Sequence, residues 1–83
     1  MSLTTPQQRL LDRIVIDPHR RFGAPTVRGT RISVADVLGW LAEGTSSGVI
    51  VDDYPELTDE DIRACLLFAH LRQIGVVSAS VPR

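Results

Sequence analysis

Between Pro25 and Gly44 the chain reads PTVRGTRISVADVLGWLAEG. A tight turn runs straight into a helix start, and that join constrains what the remaining residues can build. Val27 and Ile32 flank Arg28-Gly29-Thr30-Arg31. With Gly29-Thr30 as a two-residue loop, Gly stands first, where a type II′ hairpin turn needs φ > 0. That register sets Val27 opposite Ile32 on one face and Arg28 opposite Arg31 on the other. Like charges directly across a hairpin repel. The pair is best placed beside something anionic; otherwise both side chains splay into water or meet the chain's own acids.

The same stretch predicts a helix over 33–43. Ser33 is followed at the third position by Asp36, a capping-box pattern in which hydroxyl and carboxylate each take a free backbone N–H. Val34, Val37, Leu38 and Leu41 recur at i, i+3, i+4 and i+7, one apolar stripe. Gly44 supplies a left-handed stop. Trp40 lies at the rim of the stripe, as part of the core or as an interface anchor.

These residues carry a resemblance. IVIDP at 14–18, G-x-P-x-V-R-G-T-R-I at 23–32, V-x-D-V-L-x-x-L-x-x-G at 34–44, D-Y-P-x-L-T at 53–58 and D-I-R-A at 61–64 together resemble the small bacterial family known as domain of unknown function 433, over roughly residues 14–71. The ordered string G-x-P-x-x-R-G-T-R-I is its most specific element. The resemblance implies the antitoxin half of a type II toxin–antitoxin pair, a non-catalytic protein whose partner is a PIN-like ribonuclease and which helps repress its own operon. It also implies a helix-turn-helix-like fold. The fold class expected is therefore mostly α: a short N-terminal strand and hairpin, then a three-helix, homeodomain-like bundle. Residues 1–13 form an N-terminal segment with a short helix, 14–75 the antitoxin-like domain and 76–83 a C-terminal tail. A stand-alone DNA-binding regulator and a small dimeric interaction module are the competing functions.

Eighty-three residues make one domain. A chain this short buries only about 60% of its unfolded surface, so help from a partner or second copy is in keeping with its size. Every basic residue is Arg, and the net charge is -1, which argues against strong non-specific binding to DNA or membranes. The single Cys65 leaves no internal disulfide framework and fits a reducing cytoplasm. The start MSLTTPQQR has no apolar signal-peptide core, and no apolar run approaches a membrane span.

In chain order, Thr5-Pro6 opens a short helix over 7–13, and Ile14-Val15-Ile16, bounded by Asp17-Pro18, reads as a strand. Residues 19–24 form a loop. After Thr45-Ser46-Ser47 comes Gly48-Val49-Ile50-Val51, a poor helix former where the family has acidic, helix-favouring residues, so the second helix is expected to be short or frayed. Thr58-Asp59-Glu60-Asp61 is a stronger capping box and opens a helix to about Ile74, stopped by Gly75.

That last helix is apolar on two sides. Ile62, Cys65, Leu66 and Ala69 make one stripe; Ala64, Leu67, Phe68 and Leu71 make another, with Arg63 and His70 between them. A helix of this kind is buried on both sides. The second side needs a second copy, a partner, or cover from the N-terminal strand and the tail; a second copy is the expectation, with Leu67, Phe68 and Leu71 as the homodimer interface.

Enzymatic chemistry finds little support. His19, His70 and Cys65 have no metal-ligand spacing, and Cys65 reads as a core residue. Asp52-Asp53 and Asp59-Glu60-Asp61 read as caps and solvated acids rather than a cation site, so neither a metal nor a cofactor is expected. For operator DNA, the acidic start of the last helix is a poor recognition surface. Arg20, Arg21, Arg28 and Arg31 are the expected backbone contacts. For the ribonuclease, whose metal site is implied to be a carboxylate cluster, the candidates are Arg72 and the tail residues Val76, Val77, Val81 and Arg83, with an arginine fork pairing the carboxylates.

Overall fold

The computed structural model describes residues 3–74. Helix α1 covers Thr5–Leu11, with Pro6 in its first turn. Its cap is Thr4, one residue earlier than expected, because Thr4-x-x-Gln7 completes a capping box: Thr4 N–H donates to Gln7 Oε1 at 2.9 Å and Gln7 N–H to Thr4 Oγ1 at 3.2 Å.

Strand β1, Ile14–Val15, pairs antiparallel with β2, Thr26–Val27, in the register Ile14 to Val27 and Val15 to Thr26. On its other side β2 bridges Thr26 to Ser33. The pair at 26–27 is thus flanked on both sides, and both residues are buried. Between the strands, Arg21–Gly23 forms one tight turn, closed by Gly23 N–H to Arg20 O and Ala24 N–H to Arg21 O, both at 3.1 Å, in which all three φ angles are positive, at 51°, 57° and 81°.

Helix α2 is Val34–Ala42, capped by the reciprocal Ser33 and Asp36 bonds the sequence predicts. It ends in a Schellman motif: Gly44, at φ 97°, donates to Leu41 O at 3.0 Å, and Thr45 N–H donates to Trp40 O at 3.0 Å. Helix α3, Ser47–Asp53, has the expected short length and a Ser46 cap. Helix α4, Asp59–Gln73, starts at the Thr58 and Asp61 box. Four α-helices stand among the described residues: α1, the short N-terminal helix expected at 7–13 and found two residues earlier, and three more where a three-helix bundle was expected.

Helix α4 touches α1, α2, α3 and β1, and so occupies the middle of the molecule. This explains its two apolar sides. Ile62 and Cys65 on one and Ala64, Phe68 and Leu71 on the other are buried. The cover expected from a second copy is thus supplied within the chain at Phe68 and Leu71, and Phe68 belongs to the core with Val27, Ile32, Val37, Ile50 and Leu57. Leu67 is half-buried, and Leu66, on the stripe expected to face the core, is 47% exposed. Trp40 packs on the core rim and stacks on Tyr54, ring centroids 4.4 Å apart and planes 13° from parallel.

Candidate binding surface

The Arg28–Arg31 segment is more elaborate than a two-residue hairpin loop. Val27 N–H donates to Ile32 O at 2.9 Å, as the register requires, but the reverse bond is absent. Thr30 takes its place. Its N–H and its hydroxyl both donate to Val27 O, at 3.0 and 2.9 Å, and its Oγ1 accepts the Ile32 N–H at 3.0 Å. The tight turn is therefore Val27–Thr30, with Gly29 third at φ 77°, as a type II turn demands, rather than second in a type II′ turn. The reason lies in Thr30, whose buried hydroxyl substitutes for backbone pairing.

Two of the four arginines expected to meet DNA have partners within the chain. Arg20 Nη1 donates to Thr30 O at 3.0 Å. Arg21 Nη1 donates to Arg31 O at 2.8 Å and to Asp36 Oδ2 at 3.0 Å. They clamp the 20–23 segment onto the turn and onto the α2 cap. Burial alone raises the Asp36 carboxyl, but the Ser33 N–H and the Arg21 guanidinium outweigh it and hold it below its ordinary value. Arg28 and Arg31 project from the turn exposed, and their guanidiniums have no hydrogen-bond or ion-pair partner among the described residues.

A second arginine tie was not legible in the sequence. Arg13 Nη1 meets Asp61 Oδ1 at 2.9 Å and its Nη2 meets Glu60 Oε2 at 3.0 Å. The hydrogen bond to Asp61 is the main reason the guanidinium is held above its ordinary value, against the opposing effect of burial. The only signal was generic: a capping carboxylate has a second oxygen to share. Around Arg13, two open clefts share Arg9 and Arg13. One, of about 300 Å³, adds Pro6, Leu10, Glu60 and Arg63. The other, of about 380 Å³, adds Asp12, Arg28 and Asp61. Arg9, Arg28 and Arg63, far apart in sequence, thereby border one continuous face.

At the opposite end of α4, Arg72 lies with its guanidinium carbon 5.6 Å from the Phe68 ring centroid. It borders a groove of about 260 Å³ between α2 and α4, lined by Pro25, Val34, Ala35, Leu38, Phe68, Ala69 and Gln73. Val76, Val77, Val81 and Arg83 lie outside the described residues. Cys65 is buried, and burial, with the Asp61 charge beside it, pushes its thiol up to about 12, which keeps it protonated. No group of three or more His, Cys, Asp or Glu residues suited to a metal ion occurs among the described residues, and none of their helices is long and apolar enough to cross a membrane.

The turn, the Ser33 and Thr58 capping boxes and most of the α4 helix fall within residues 14–69, which match the family described as protein of unknown function (DUF433). The chain belongs to that family. Over 47 residues it is 40% identical to a Mycobacterium tuberculosis protein described as "Putative antitoxin VapB45"; the match takes in 57% of this chain and 20% of the relative's length. This member of the family thus spans only a fraction of that longer relative. No solved structure matches it.

Proposed function

We propose that this protein is an antitoxin-like binding protein, which captures and neutralises a PIN-like ribonuclease and helps repress its own operon. The observation that carries the reading is the V-R-G-T-R-I turn. Two arginines and a buried threonine are spent on fixing its shape, while Arg28 and Arg31 are left as unpaired donors on its outside. A rigid turn presenting planar guanidiniums suits carboxylates or phosphates. The similarity to a relative described as an antitoxin supports the same role.

Within this reading Arg28 and Arg31, the two of the four expected arginines whose guanidiniums have no partner among the described residues, are the donors left for operator DNA, and a carboxylate-bearing ribonuclease competes for them; the helix-turn-helix-like part is α2 to α4. The tail residues Val76, Val77, Val81 and Arg83, with Arg72, contribute to holding the ribonuclease. Self-association is part of the reading, through surfaces other than Phe68 and Leu71. The test is growth: co-expression with a PIN-like nuclease encoded in an adjacent reading frame restores colony formation if the reading is right, and arrested cells, or the lack of any such adjacent nuclease, contradict it.

A further inference from the structure

Phe22 is 105% exposed, the most exposed of the large apolar side chains among the described residues. Its backbone is also in the left-handed region, at φ 57° and ψ 34°, between Arg21 at φ 51° and Gly23 at φ 81°. A bulky residue in that region is a genuine outlier, held only where the surroundings over-determine it. Here the surroundings are identified: Arg20 and Arg21, immediately before Phe22, are bonded to the carbonyls of Thr30 and Arg31 and to Asp36. The fold thus spends three hydrogen bonds on holding out an aromatic ring that contributes nothing to its own core. Asn or Gly at this position would relieve the strain.

We propose that Phe22 is a pre-positioned aromatic anchor for the ribonuclease partner, entering an apolar pocket on that protein whose rim carries carboxylates. This rests on the functional reading above and names the contact that reading lacks. An aromatic side chain held rigid before contact loses little entropy on binding, and such residues dominate interface energies. The acidic rim follows from Arg31. The Arg21 bond to its carbonyl seats the Phe22 segment on the turn, and the Arg31 guanidinium has no partner among the described residues. A second copy docked by this surface about a two-fold axis would bring equivalent arginines together, which is repulsive. The net charge of -1 provides no field for a polyanion, so a nucleic acid is the less suited occupant.

Titration calorimetry of the full chain against the adjacent ribonuclease tests the anchor. Phe22→Ala and Phe22→Gly should each weaken binding roughly 30-fold or more, and Phe22→Trp should retain it. Phe22→Gly should not lower the melting temperature, which separates lost contact from lost fold. Binding of Phe22→Ala at wild-type strength overturns the anchor and leaves the functional reading standing. A wild-type chain that forms no complex overturns both. A Phe22→Ala effect confined to self-association in sedimentation, or to duplex DNA in a gel shift, also overturns the proposal, in favour of a second copy or a nucleic acid as occupant.

Discussion

Arg13 Nη1 lies 2.9 Å from Asp61 Oδ1, and the other oxygen of the same carboxylate accepts the Thr58 N–H at 2.9 Å. One buried side chain therefore caps α4 and fastens to it the segment between α1 and β1. The Asp61 side chain is 8% exposed and Arg13 36%, while Glu60, the other partner of Arg13, is 63% exposed. A carboxylate tied twice and shielded from water should matter far more than its exposed neighbour.

Asp61→Ala should cost about 2 to 3 kcal/mol, the sum of a lost cap and a lost charged hydrogen bond. In a domain this small that lowers the melting temperature by about 10 °C or more. Glu60→Ala should stay within about 0.5 kcal/mol. A double-mutant cycle with Arg13→Ala reads the coupling directly, and an absence of coupling between Arg13 and Asp61 would contradict the assignment.

Asp36 links stability to acid. Its folded value lies below the ordinary 3.8, so on acidification the unfolded chain takes up the proton first. The stabilisation from Asp36 is complete above the ordinary value and is lost as pH falls through the lowered folded one. Denaturant midpoints of wild type and Asp36→Asn should differ near neutrality and converge in strong acid. A difference that widened on acidification would reverse the sign argued here.

Phe68 and Leu66 form a contrasting pair on α4. Phe68→Ala should cost about 3 to 5 kcal/mol by opening a cavity, whereas Leu66→Ala, at an exposed position, should cost about 0.5 kcal/mol or less. Urea unfolding followed by circular dichroism measures both. A Phe68→Ala protein of unchanged stability that merely dissociated into monomers would return Phe68 to an interface.

Local chemistry explains what could be read from the chain. Ser33 with Asp36 and Thr58 with Asp61 are short-range patterns, and both boxes form as written. Gly44 also stops α2 as expected. What stayed hidden depends on partners distant in sequence. The two apolar sides of α4 reveal burial but not its source, and only the arrangement of α1, α2, α3 and β1 around that helix supplies it. The pairing of β1 with β2 spans a long loop that leaves no periodic trace. The turn type depended on one threonine hydroxyl. The roles of Arg20 and Arg21 depended on which carbonyls the fold brought within reach.

The central claim is capture of a ribonuclease, and inhibition tests it most directly. Cleavage of a fluorescent RNA by the purified adjacent ribonuclease, followed as this protein is titrated in, should fall to background near a fixed stoichiometric ratio, with Arg31→Glu shifting the end point to higher concentration. Undiminished cleavage at a large excess of the wild-type chain, with no complex on gel filtration, would contradict the account.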